Sequence, residues 1–455
     1  MRKVLPTLVL SFCIHTTFAQ QDSLLRNFKF RNINYRAVTF DASGGGQFSS
    51  TDFPAGKSEG RSGSGSAGAS YYIIKSTDGI LLNAFASAST GFGSSRSDNS
   101  SDEYKNRNFY LAPVLTVNNK WFSKNLFTEL GAEVSGNFYS SKNTSSAFSS
   151  ENKSKQQAGS LAITAGIGKG RLENVTHMQN ALWLHQTLEK EKRLTRSLSA
   201  EELNGLGQAI AVANNTRVLD ARKRTQYILE AIDTYFQKKG LISTTDIRYF
   251  SSLNDIVFFA FNDARLAGTE LFIRATPAIM HYDYDLTQQP ASLKTEENAV
   301  NRSVRLSAGI NKHVPVSLKH QNNFGAALQL YYLSNDYTEK FFSGSVQTGE
   351  TRLDPVLKQA GASAFFEHAI YPNTRTIIRF KLDTETGYQD IGNENSFFNL
   401  SNLSGFWNYF ISYRTRLNCG LGVSYRKNIY ALNSYLTLLP ESIQLFANAG
   451  VQVSL

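Results

Sequence analysis

The sequence predicts an all-β transmembrane barrel: antiparallel, about 14 strands (12–16), with an α-helical insert between strands six and seven. Three observations lead to it. Apolar and polar residues alternate with period two along many segments, charges recur in mid-segment on one of the two faces, and many segments persist for about ten residues, the length a tilted strand needs to cross hydrocarbon. No stretch after the first twenty residues is apolar for long enough to span as a helix. Only 18% of the 455 residues are charged, against roughly 25% in ordinary soluble domains. In lipid every backbone donor and acceptor needs a partner within the protein, which a closed antiparallel sheet supplies and an open one does not.

Residues 1–19 read as an export signal. Arg2 and Lys3 lead, the stretch from Val4 to Ile14 is largely apolar, and Thr17-Phe18-Ala19 offers a cleavage site before Gln20. Cys13 follows Leu10-Ser11-Phe12, with no small residue before the thiol, so no lipoprotein anchor is expected. Losing Arg2 and Lys3 lowers the formal charge from +10 to +8. The remaining basic residues are scattered rather than striped, which argues against nucleic acid as a partner. Cys419 is the one cysteine left, so the exported chain has no internal disulfide and no thiolate metal cluster.

Strands are expected near 33–44, 68–75, 80–92, 105–117, 121–139 and 155–168, forming the first half of the barrel within 20–169. The second half, 267–455, holds strands near 267–285, 301–316, 320–336, 357–371, 374–388, 396–411, 414–427 and 441–455. The alternation is clearest where Leu161, Ile163, Ala165 and Ile167 oppose small or polar neighbours. It recurs where Leu271 and Ile273 oppose Glu270 and Arg274, and where Ile378, Phe380 and Leu382 oppose Arg379, Lys381 and Asp383. Connections alternate between short turns (76–79, 118–120, 372–373) and long polar stretches (45–67, 93–104, 140–154, 286–300, 337–356, 428–440). Short periplasmic turns and long extracellular loops have this pattern, with both chain termini in the periplasm. Paired aromatics at segment ends, such as Trp121-Phe122 and Phe138-Tyr139, suit the headgroup level. The last segment alternates to its end, as a closing strand would.

Between 170 and 266 the period becomes helical. Met178, Ala181, Leu182 and Leu188 form a stripe, and Ser199 with Glu202 makes a capping box. A long helix fits 218–238, closed by Gly240, and Ser243 with Asp246 offers a looser box before Ile247. Four helices are expected, and strand parity puts them in the periplasm. Thirteen basic and eleven acidic residues nearly balance in this insert. Trp183, Tyr235, Tyr249, Phe250, Phe259 and Phe261 exceed what wet helices require, so some rings belong to the insert's core and others are free for the barrel mouth or an envelope protein. Arg217, Asp220, Arg222, Arg224 and Asp263 are candidates for fixing such a contact, beside the plainer account of a solvated helix face.

The stretch Ile167-Gly168-Lys169-Gly170-Arg171-Leu172-Glu173-Asn174-Val175-Thr176, where a strand leads into the insert, joins these patterns in a chain that resembles the outer-membrane β-barrel proteins of Bacteroidetes-like bacteria. The resemblance covers most of the mature chain. It implies an outer-membrane location, contact with outer-membrane lipid and with the barrel assembly machinery, and a largely uncharacterised group. The final Leu455 departs from the terminal aromatic common in such barrels.

No metalloprotease, hydrolase or phosphate-loop motif is present, and no Cys or His set has metal spacing. No cofactor is expected, and the chain is not expected to be an enzyme. His281 and His368 are the residues a lipid-modifying activity would use, but neither has a nucleophile and an orienting acid assigned beside it. Lumen charges are more informative. Glu129, Glu133, Glu270, Arg274, Arg305, Arg375, Arg379 and Lys381 point inward by alternation. In an open channel they would bias passage of small solutes, giving a porin-like pore with the insert as gate or docking module. In a non-conducting structural or interaction barrel they would pair across the interior.

Overall fold

The computed structural model describes residues 19–453 except 54–55, 100–101, 147–148, 217–220, 260–263, 392–393, 413–414, 433–435 and 439–440. All of the expected export signal but its last residue, and Leu455, lie outside the described residues. A short helix, α1 (Ala19–Asn27), precedes six strands: β1 (Ile33–Phe53), β2 (Gly56–Ser76), β3 (Ile80–Asn99), β4 (Asp102–Ser123), β5 (Leu126–Ser145) and β6 (Ser150–Asn174). Four helices follow: α2 (Thr176–Lys190), α3 (Ala200–Asn215), α4 (Ala221–Lys238) and α5 (Ile247–Phe259). The wall resumes with β7 (Leu266–Gln289), β8 (Leu293–Pro315), β9 (His320–Ser343), β10 (Val346–Leu353), β11 (Val356–Asn373), β12 (Thr376–Ile391), β13 (Glu394–Phe410) and β14 (Thr415–Lys427). A small hairpin, β15 (Tyr430–Leu432) with β16 (Leu436–Leu438), leads to β17 (Ser442–Val453).

Each wall strand pairs antiparallel with its neighbour in the order β1 to β9, then β11 to β14, then β17. That path holds fourteen staves. β10 and β11 both lie along β9, Leu353 opposite Tyr337 and Val356 opposite Ser334, so they form one stave broken at Asp354-Pro355. Proline has no N–H to give a ladder, and here its carbonyl accepts from the Asn335 amide at 3.1 Å. Among the described residues no ladder joins β1 to β17, so the expected closing strand is seen paired on one side, to β14.

The expected long loops are mostly strand. β1 and β2 stay zipped from Ile33–Ser76 to Phe53–Gly56, straight through the Gly- and Ser-rich run, and β5 and β6 stay paired up to Ser145–Ser150. Above the membrane both faces are wet, so no apolar alternation marks these extensions, while backbone pairing continues regardless of side chain. Two turns also move. β4 runs on through Asn118-Asn119-Lys120 and turns at Lys124-Asn125, where Lys124 has φ +57. β11 continues through Pro372-Asn373, and the chain turns at Thr374-Arg375. The start of β1, the end of β17, the short turns and the insert share one end of the wall.

Register places outward residues in unbroken rows. One runs Leu126, Lys169, Leu271, Ile310, Ala326 and Ala364 across β5 to β11, and another runs Val134, Leu161, Ile279 and Arg302. On β7 the outward face is apolar from Leu271 to Ile279, about 26 Å at roughly 3.3 Å per residue, then turns polar at His281 and Asp283. Leu271 to Ile279 is nine residues, a run within the 9–11 or so that a strand tilted by about 45° needs to cross the hydrocarbon core. Leu328 is 69% exposed and Ile273 60% exposed within it, which no soluble sheet leaves uncovered on this scale. Paired aromatics split between faces: Trp121 is outward and exposed, while Phe122 is inside, tilted against buried Phe127.

The insert has its own core, built on Met178, Leu182, Leu188, Leu206, Ile210, Ile232, Phe236, Tyr249 and Leu253. The capping box at α3 forms in both directions: Ser199 Oγ accepts from the Glu202 amide and the Glu202 carboxylate accepts from the Ser199 amide. Gly240 takes φ +61 beyond α4. The looser box does not form. Asp246 itself caps α5, accepting from the Arg248 and Tyr249 amides, while Ser243 Oγ donates to the Arg193 carbonyl. α1, which no sequence pattern announced, adds Leu25 and, just beyond it, Phe28 and Phe30 to the same core.

Candidate functional site: the lumen and its helical mouth

Entry from wall to insert depends on two glycines. Gly170 has φ +94 and Gly268 has φ +123, and a Cβ at Gly170 would sit 2.0 Å from the Thr269 carbonyl oxygen. The bend breaks β6 alternation, so Arg171, outward by parity, turns in at the mouth. It donates to Ser76 Oγ and the Thr77 carbonyl at 2.7 and 2.8 Å and lies over the Phe122 ring.

Arg265, completely buried, pins the other end. Its Nε donates to Gln321 Oε1 at 2.7 Å, and its terminal nitrogens donate to the carbonyls of Leu318 (2.8 Å), His320 (2.7 Å) and Ser317 in the turn between β8 and β9. Its amide reaches Thr176 Oγ1 at the start of α2, so one residue ties both ends of the insert to the rim. Leu318 and Ala267 of the wall belong to the insert's core, and Ile33 packs against it.

Further round the rim, α5 makes a second anchorage. Asp255 accepts from Thr374 Oγ1 at 3.0 Å and from Arg375, whose Nε lies 3.1 Å away. Arg375 covers the Phe259 ring, which is buried with Ala369, Tyr371, Ile377 and Phe410. Arg375 therefore corrects its expected place: it lies in the turn between β11 and β12, beyond the ladder, and faces the insert rather than the lumen. α1 adds a third contact, Arg26 Nε donating to the Pro315 carbonyl at 3.1 Å, and Arg31 bridges Glu173 and Asp78. Contacts at β1, β6 to β9 and β11 to β13 place the insert across this end of the lumen.

Inside, Glu129, Glu270 and Arg274 come together. Arg274 donates to Glu129 at 2.8 Å and to Glu270 at 2.9 Å, Lys120 reaches Glu270 at 2.6 Å, and Asn118 donates to Glu129 at 2.7 Å. The group spans β4 to β7 because β6 presents Gly166 and Gly168 beneath it; a Cβ at Gly168 would meet the Phe127 ring at 2.3 Å. Asn118 and Lys120 fall in the short turn expected at 118–120, where no inward face was read.

Lys381 pairs with Asp383 at 2.9 Å on its own strand, and Arg379 lies on the same inward face. Arg305 covers the Tyr331 ring. A cavity of about 470 Å³ opens between Arg274, Arg305, Asn311, Gln329, Asp383 and Glu385. Glu133 is inward and exposed, with no ionic partner among the described residues.

Of the insert-contact candidates, Arg217, Asp220 and Asp263 lie outside the described residues, as does the side chain of Arg222. Arg224 is half-buried on α4. His177 is buried, its ring edge-on to Phe30 at 6.1 Å, and burial pushes it down to about 4. His185 accepts from the Leu198 amide, and burial lowers it too. His281 Nε2 lies 2.7 Å from the Asp283 carboxylate, and His368 Nδ1 lies 2.7 Å from Asn322 Oδ1, so each ring faces a polar partner other than a serine. Among the described residues no group of His, Cys, Asp and Glu is arranged to hold a metal.

No family model and no curated protein matches the chain. Solved structures of barrels do. The translocator domain of the autotransporter NalP from Neisseria meningitidis is 10% identical over 83% of this chain and 88% of its own, with a TM-score of 0.26. The TodX monoaromatic hydrocarbon channel, as a deletion mutant, is 8% identical over 95% and 98%, with a TM-score of 0.33. The β domain of the Bordetella autotransporter BrkA is 8% identical over 82% and 99%, with a TM-score of 0.26. Likeness this low carries no argument about the present chain, whose barrel rests on its own ladders and lipid-facing band.

Proposed function

We propose that the chain is an outer-membrane barrel that passes small solutes, with the helical insert as a periplasmic gate held shut through Asp255 and Arg375. The observation that carries this reading is the water-accessible lumen wall, where Arg305, Glu385 and Glu133 border open space while the insert lies across one end. Charges lining an aqueous passage bias which solutes cross. The export-like leader supports the location, and the band of exposed apolar side chains supports the span. The reading contains no catalytic step, and the barrel assembly machinery and a periplasmic protein remain its proposed partners.

A second reading, a non-conducting structural barrel, is favoured by one feature: Lys120, Arg274, Glu129 and Glu270 compensate one another within the wall. Conductance in planar bilayers separates the two. The channel reading expects ohmic, salt-dependent steps, and a several-fold higher open fraction for D255A or R375A. Silence from the intact protein and both variants, each still running as a heat-modifiable barrel, would favour the structural reading.

A further inference from the structure

Of the four charged groups that line the lumen cavity, two are already neutralised. Arg274 is held by Glu129 and Glu270, and Asp383 by Lys381. Arg305 on β8 and Glu385 on β12 make no salt bridge among the described residues. Register fixes how far apart they stand. Arg305 lies opposite Tyr331, Tyr331 opposite Gln359 and Gln359 opposite Gln389, so Glu385 is three strands across and four residues nearer the insert. At about 4.8 Å per strand and 3.3 Å per residue, their Cα atoms are about 19 Å apart over the wall, and two inward side chains narrow the gap between the charges to the order of 10 Å. Gly309, Gly325 and Ala327 keep the floor of the cavity low between them. Gln329 and Ser363 lie on the diagonal that joins the two charges, and Gln329 Nε2 donates to Ser363 Oγ at 2.7 Å, which leaves the glutamine oxygen to accept.

We propose that this cavity binds a short peptide with both ends free, its carboxylate on Arg305 and its ammonium on Glu385. A guanidinium pairs with a carboxylate through two parallel hydrogen bonds, and a carboxylate takes an ammonium in a charge-assisted one. An extended tripeptide is about 10 Å long, which matches the gap. A single amino acid carries both charges on one residue and cannot reach both partners. The peptide's own N–H and C=O groups need partners once water leaves them, and Gln329, with Asn311 and Asn402 at the border of the cavity, offers donors and acceptors for them. The cavity, about 470 Å³, is within the size range of small-ligand sites. A neutral sugar would leave both charges unmatched, and a simple anion would meet the Glu385 carboxylate.

The inference takes its water-filled lumen from the channel reading, and the test keeps the two apart. Equilibrium dialysis of the full chain in detergent should retain trialanine at a concentration roughly ten-fold lower than N-acetyl-trialanine amide or alanine needs, as expected for the loss of one charged contact. R305E and E385R should each weaken trialanine roughly ten-fold or more. The double variant R305E/E385R, which exchanges the charges, should recover most of the binding with the peptide reversed. Equal retention of the capped and free peptides, or a double variant as weak as the single ones, would overturn the proposal. In planar bilayers the same protein separates the readings: a silent barrel that retains trialanine rejects the channel and keeps the site, whereas an ohmic channel that retains none rejects the site alone.

Discussion

His177 shows what burial does to a single group. In the fold it is neutral, held down to about 4 by loss of solvent, whereas an unfolded histidine titrates near 6.5. Its contribution to stability is therefore complete above about 6.5, falls as the pH drops toward 4, and levels off below. Urea unfolding followed by Trp183 fluorescence, with Trp121 and Trp407 replaced by Phe, should lose roughly 3 kcal/mol between pH 7 and pH 4, and H177Q should flatten that loss. Arg265 is a different case, since its guanidinium donates to the carbonyls of Leu318 and His320. R265A leaves buried acceptors unpaired and should cost about 3 kcal/mol or more. R265K should not rescue it, because one ammonium cannot cover acceptors that the guanidinium fork reaches together. A lowered unfolding temperature of the heat-modifiable species would register both.

Among the elements, α3 meets the amino-terminal segment through a glycine. A Cβ at Gly207 would lie 2.9 Å from the Phe28 ring and 3.3 Å from Met178 Sδ. G207A trades about 1 kcal/mol of helix propensity against that crowding. G207L has no such offset and should displace the segment, seen as trypsin cleavage at Arg26 or Lys29 under conditions that spare the parent. α1 also marks where sequence legibility ended. Period-two alternation marked many of the fourteen expected staves, because lipid and lumen demand opposite chemistry from adjacent residues, and the spacing of the connections placed the rest. The insert's four helices were legible from their stripes and from Ser199 with Glu202. α1 was not, as AQQDSLLRN is too short to show a stripe. Strand ends were missed where water wets both faces. Arg375 was placed in the lumen because alternation carries no signal that a ladder has ended, and Arg265 and Asp255 have partners far away in the chain.

For the whole molecule, the insert is both a separate core and part of the rim. Deleting residues 172–264 removes the Asp255 anchorage and the bundle but keeps every wall strand bar the last residues of β6. The shortened chain should still assemble as a heat-modifiable barrel. It should unfold at a lower temperature than the parent, because Ile33, Ala267 and Leu318 lose the core they share. Failure to assemble at all would mean that the bundle is needed to form the wall.

The staves are about twice as long as the bilayer requires: β6 has 25 residues and β7 has 24. A backbone zipped into a ladder cannot thread into a protease cleft, which needs several residues free and extended. Enzymes added from the side remote from the insert should therefore nick this chain only at its hairpin tips. The severed halves would stay clasped by their neighbours, so an exterior of Gly, Ser and Asn that looks fragile in sequence would behave as armour.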